Sequence, residues 1–139
     1  MIGYRFHGAQ PAFDQLNAAH AFLETNHYTS TWYGTPRSTL HKLRHGIACI
    51  VVPDVNGGIA IAPHVQNVIG VWIDAPDELR MQRLHKRGES AEKRAQRVAV
   101  GHEDRRLAKQ SGVYNVVIEN IDLEEAYQQI THHLHHHQK

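Results

Sequence analysis

The sequence predicts an α/β fold, a parallel sheet with flanking helices preceded by a small mixed lobe. Three apolar runs carry the sheet: Ile47–Val52 (IACIVV), Val68–Ile73 (VIGVWI) and Val113–Ile118 (VYNVVI). They have strand length and do not alternate cleanly, as expected of strands covered on both faces. Helical patterns separate them, which makes the order β-α-β-α-β and the sheet parallel. The first 35 residues lack this rhythm and carry hydroxyls and aromatics instead.

In that first segment, YRF (Tyr4–Phe6) is a short strand candidate. Pro11 can start a small helix with Phe13 and Leu16 on its apolar side. AFLE and HYTSTWY then read as short β segments. Pro36 opens a helix that Gly46 closes, and Pro76 with Asp77 opens another that Gly88 ends. Ser90 can cap a longer helix running toward Gly112. Asp122 is a good N-cap for the last helix, with Glu125 at capping-box spacing. Leu123, Ala126, Tyr127, Ile130 and Leu134 form its apolar stripe. The expected organisation is one domain over 1–139: a lobe at 1–35 and a partial α/β core at 36–139.

Composition narrows the class. The 139 residues suffice for one ordinary core, and 41% hydrophobic content suits a globular protein. A formal net charge of +1 points to neither nucleic acid nor a membrane surface as a partner. No apolar run approaches the roughly 18 residues that span a bilayer, and MIGYRFHGAQ has no apolar signal region. The expectation is a cytoplasmic protein. Cys49 is the single cysteine, and its apolar run marks it as core. Five of the 13 histidines fall in HHLHHH near the end. That tail reads as a polar helix end or as a binder of divalent metal, without a Cys or acidic cluster to close a structural site.

Three stretches could carry chemistry. In ETNHYTSTWYGTPRSTL, Glu24 offers a carboxylate that could accept from the N1–H and amine of a guanine. Tyr33 and Thr35 supply hydroxyls for phosphate oxygens or base acceptors. The plainer alternative is a strand and a turn. Second, Arg94 and Arg97 are three apart on one helix face and Arg87 precedes Gly88 at the turn before it. They could clamp phosphates or simply form a solvated basic face. Third, Asp54 follows the first apolar run, where ligands bind in open α/β sheets. It could touch a substrate or hydrated Mg²⁺, or merely cap a helix.

Taken in order, FLE, WYGT, D-x-x-G, PDELRMQRLHKRG and VVIENIDLEEA resemble the guanylate kinase family, from about Tyr4 to Ile130. The family's FLE followed nine residues later by YYGT stands here as AFLETNHYTSTWYGT. Its strand ending D-I-D stands as VVPD, and its lid entry R-L-x-x-R-G as Arg83-Leu84-His85-Lys86-Arg87-Gly88. The resemblance implies that Glu24 reads the guanine edge and that Tyr33 and Thr35 contact the GMP phosphate or base. Asp54 would face GMP, and Tyr4, after a one-residue shift, would be a further tyrosine of the pocket. Arg87, and Arg97 after a similar shift, would be lid arginines near the transferred phosphate, with the lid near 86–98. Arg94 has no firm counterpart.

The family's phosphate loop, G-x-x-G-x-G-K-[ST], has no match in these 139 residues, and Val52 stands at the first Asp of D-I-D. The expected fold is therefore a truncated P-loop-kinase-like sheet with a GMP-binding-type lobe. Phosphoryl transfer rests on the loop amides, the loop Lys and Mg²⁺. The expectation is a binder of GMP or a related nucleotide that is not an efficient kinase alone. No cofactor is otherwise implied, and Mg²⁺ would come only with a nucleotide. A protein-interaction module, or a partial kinase subunit completed by another chain, are the alternatives. In the family, the loop's strand lies between those matching 47–52 and 68–73. Without it these two should pair directly, or a homodimer or partner chain should complete the sheet.

Overall fold

The computed structural model describes residues 10–28 and 31–136, so the YRF strand and Tyr4 lie outside the described residues. The chain divides into two compact units, Met1–Val68 and Ile69–Lys139.

The first unit is built on a hairpin. Helix α1 (Gln10–Ala18) begins one residue before Pro11 and buries Phe13. Strands β1 (Phe22–Tyr28) and β2 (Thr31–Pro36) pair antiparallel. Phe22 lies opposite Pro36 but Glu24 lies opposite Thr35, so β1 carries one extra residue there. This bulge has a large consequence. Residues two apart normally share a face, yet here Phe22 and Glu24 take opposite faces. Phe22 joins an aromatic stack with Phe13 (ring centroids 5.1 Å), and Phe13 continues to Trp32 at 5.3 Å. A Cβ at Gly34 would sit 2.6 Å from the Phe22 ring, so only glycine fits beneath it. The other face is polar.

Helix α2 (Ser38–Arg44) starts two residues after Pro36, which ends β2 and does not form the first turn expected of it, and α3 (Val55–Ile61) follows Asp54. Between them the expected strand over Ile47–Val52 is not formed: those residues belong to no ladder. Ile47, Ile50 and Val52 are 54%, 56% and 87% exposed, and Cys49 is only half-buried. The expected direct pairing with the 68–73 run is likewise absent among the described residues. Apolar, β-branched sequence favours a strand only when a neighbouring strand takes its backbone groups, and none does so among the described residues.

The second unit is a parallel pair, β3 (Gly70–Asp74) with β4 (Tyr114–Glu119), crossed over by α4 (Asp77–Lys86) and α5 (Ala91–Ser111). Both strands fall on their expected apolar runs. Ser90 caps α5 by accepting from the Lys93 N–H. Gly46, Gly88 and Gly112 follow α2, α4 and α5 with φ of 74°, 79° and 69°, the left-handed region that ends helices. Helix α6 (Leu123–His136) starts at Asp122, whose Oδ1 accepts from the N–H groups of Glu124 (2.9 Å) and Glu125 (3.0 Å). The core joins Val116, Ile118 and Ala126, with Ile69, Val71 and Ile130 against it. The expected α6 stripe is only partly used, because Leu123 and Tyr127 are 76% and 62% exposed. Two strands make a face too narrow to cover the whole stripe.

Candidate functional site

The polar face of the β1–β2 hairpin gathers the first set of expected residues. Glu24 and Thr35 are direct cross-strand partners, and Thr35 Oγ1 donates to Glu24 Oε1 at 2.8 Å. Two residues along each strand, Asn26 pairs with Tyr33 and faces the same way. Asn26 Nδ2 donates to Asp54 Oδ2, while Asp54 Oδ1 accepts from the Gly57 N–H at 2.8 Å. Asp54 is thus the N-cap of α3, and a hydrogen bond ties that cap to β1. A Cβ at Gly57 would meet Glu24 Oε2 at 3.3 Å and Pro53 Cβ at 2.9 Å, so Glu24 lies over the first turn of α3. The structure therefore brings together Glu24, Tyr33, Thr35 and Asp54, with Thr35 buried and the others half-buried.

Two carboxylates on one half-buried face interact. Burial pushes the Glu24 carboxyl above its ordinary value, and the negative charge of Asp54 adds to this. The hydrogen bond from Thr35 opposes both without cancelling them. The result is a carboxylate held at some energetic cost, which a donor-bearing ligand could relieve. No group of three His, Cys, Asp or Glu able to hold a metal occurs among the described residues. Each Asp54 oxygen accepts a hydrogen bond from the protein.

The arginines belong to the second unit. Arg94 donates from Nη1 to the Glu89 carbonyl at 2.6 Å and lies 3.1 Å from His85 Nδ1. Arg97 Nε is 2.8 Å from Glu89 Oε2. Both therefore converge on the turn between α4 and α5, where they order the chain. Arg87 is the exposed residue that ends α4. At the carboxyl ends of β3 and β4 lies a half-open cavity of about 240 Å³, walled by Trp72, Asp74, Arg80 and Asn120 among others. Asn120 Oδ1 is buried there without a hydrogen-bond partner. Beside it Arg105 grips Asp74 with both Nε (2.7 Å) and Nη2 (2.8 Å). Burial raises the Asp74 carboxyl, but the Arg105 and Ala75 hydrogen bonds outweigh it and the net shift is downward.

Comparison with known proteins bears on the family and the fold. A family model described as guanylate kinase matches residues 3–137. The chain belongs to the guanylate kinase family. A guanylate kinase of Chlamydia muridarum (strain MoPn / Nigg) is 30% identical over 108 residues, covering 77% of this chain and 52% of the relative. The chain thus spans about half the length of that curated relative. The crystal structure of guanylate kinase from Anaplasma phagocytophilum superposes with a TM-score of 0.69 at 22% identity. That match covers 94% of this chain and 63% of the other, and at this identity it supports the fold alone. The truncated α/β architecture expected of a guanylate-kinase-like chain is therefore present.

The polar face also holds Asn26, which sequence reasoning does not single out, because an amide in a strand carries no motif. Its signal was period two: on β1 it shares the face of Glu24. The second missed group is Arg105, whose partner Asp74 is 31 residues away and invisible to any local pattern.

Proposed function

We propose that this chain binds GMP or a closely related purine nucleotide on the polar face of the β1–β2 hairpin. The observation that carries the proposal is the Glu24–Thr35 pair beside Asp54, the N-cap of α3, on one half-buried surface. A guanine presents N1–H and an exocyclic amine side by side, and a carboxylate accepts both. Glu24 Oε1 is oriented by Thr35, and its burial makes unmatched partners unfavourable. Tyr33 would supply a hydroxyl near the base or phosphate, and Tyr4 belongs to the same reading. Arg87, Arg97 and Arg94 belong to the same reading as phosphate-contacting residues.

The same reading holds that these 139 residues alone are not an efficient ATP:GMP kinase. They contain no G-x-x-x-x-G-K-[ST] sequence, and phosphoryl transfer depends on the charge neutralisation such a loop supplies. Calorimetric titration with GMP, with ATP as control, tests the binding. The expected result is saturable GMP binding that Glu24→Ala abolishes. No binding of either nucleotide would sink it. A coupled kinase assay showing turnover at an ordinary kinase rate would overturn the second part.

One observation favours a second reading, a partial kinase subunit completed by another chain or a second copy. Residues 47–52 have strand sequence, no strand partner among the described residues and exposed Ile47, Ile50 and Val52. Such a run gains backbone partners by accepting an added strand. Use of the hairpin face as a protein-interaction module has no comparable observation behind it.

A further inference from the structure

Helix α6 ends in His132, His133, Leu134, His135 and His136. Residues four apart on a helix project from one face. His132 and His136 have that spacing, and their ring centroids lie 4.3 Å apart at an interplanar angle of 62°. Two imidazoles bound to one metal at roughly 2.0–2.1 Å per nitrogen hold their centroids about 4.5–5 Å apart. The observed separation is close to that range. Their neighbour His133 is 6.0 Å from His132 and sits around the helix.

Two further features suit a cation. The pair occupies the last turn of a 14-residue helix, where unsatisfied carbonyls leave partial negative charge. From Leu123 to His136 the helix contains no Lys or Arg to repel a divalent ion. We propose that His132 and His136 form a two-imidazole chelate for a divalent transition metal of the Zn²⁺, Ni²⁺ or Cu²⁺ class. Water fills the other coordination positions. With no group of three metal-ligating side chains among the described residues, the ion is exchangeable and the site is not a closed structural centre. Bound metal clamps the final turn of α6. This site is independent of the nucleotide reading and stands or fails separately.

The molecule carries its own comparator. His41 and His45 have the same spacing, with centroids also 4.3 Å apart. However, His45 lies beyond the end of the seven-residue α2, and its Nδ1 is engaged with the His41 carbonyl at 2.8 Å. The test is calorimetric titration of the full chain with ZnCl₂ near neutral pH, with MgCl₂ as the hard-cation control. We expect saturable Zn²⁺ binding, weakened at least about tenfold by His132→Ala and by His136→Ala, and unchanged by His133→Ala or His41→Ala. Mg²⁺ should give no comparable binding, because it prefers oxygen ligands. Circular dichroism confirms that each variant is folded. Wild-type affinity in either His132→Ala or His136→Ala overturns the proposal, as does loss of binding in His41→Ala or absence of saturable Zn²⁺ binding.

Discussion

At the scale of single residues, the proposed role of Glu24 would set stability and binding against each other. Its carboxyl is raised by burial first and by Asp54 next, so folding favours its protonated form. A raised carboxyl contributes stability below its unfolded value, and that contribution is lost as pH rises through its folded value. Glu24→Gln should therefore leave stability at neutral pH unchanged or slightly higher in a urea melt. The same change should weaken GMP binding by about tenfold or more, the weight of a lost charge-assisted hydrogen bond. For the wild type, GMP affinity should fall on acidification, beginning above the ordinary glutamate value of 4.5, because the ionised form is the acceptor. A pH series of titrations checks this, and a flat profile down to that value would remove Glu24 from base recognition. Asn26 acts one step away, by holding Asp54 Oδ2. Asn26→Leu should weaken GMP binding less than Glu24→Gln does and lower stability by about 1 kcal/mol, since it leaves Asp54 short of a donor.

At the scale of elements, the bulge in β1 is the decisive feature. It turns Phe22 into the aromatic stack and Glu24 onto the polar face, and Gly34 makes room for the Phe22 ring. Gly34→Ala should destabilise the first unit by roughly 1–3 kcal/mol through overpacking, read as a lower denaturant midpoint. In the second unit, the Asp74–Arg105 fork joins the end of β3 to α5. Asp74 has a depressed carboxyl, so its stabilising contribution is present above the ordinary value of 3.8 and is lost as pH falls through the lower folded value. Arg105→Ala should make acid unfolding begin at higher pH, as followed by circular dichroism. An unchanged acid midpoint would show that the fork is only a surface contact.

At the scale of the whole molecule, the run at 47–52 is exposed and lies in no ladder among the described residues. Ile50 is 56% exposed and Val52 87%, within a stretch of high strand propensity. If a second copy or another chain takes up this run, Ile50→Lys with Val52→Lys should shift the chain toward monomer in light scattering. Thermal stability should barely change, because neither side chain is buried. A monomeric wild type at high concentration, unaltered by the double substitution, would dismiss self-association through this run.

Much of this protein was legible along the chain. The punctuation by Gly46, Pro76, Gly88, Ser90, Gly112 and Asp122 determined the helix boundaries, because caps and left-handed turns depend on one or two residues. The apolar runs ending at Ile73 and Ile118 determined the parallel pair. Motif order pointed to the guanylate kinase family. Only tertiary structure decided the rest. Whether IACIVV becomes a strand depends on a neighbour that propensity cannot supply. How much of the α6 stripe is covered depends on the width of the sheet beneath it. The joining of Asn26 to Asp54 and of Asp74 to Arg105 crosses 28 and 31 residues of chain. Local physics sets where an element starts and stops, whereas burial and pairing are set by whatever the fold places opposite it.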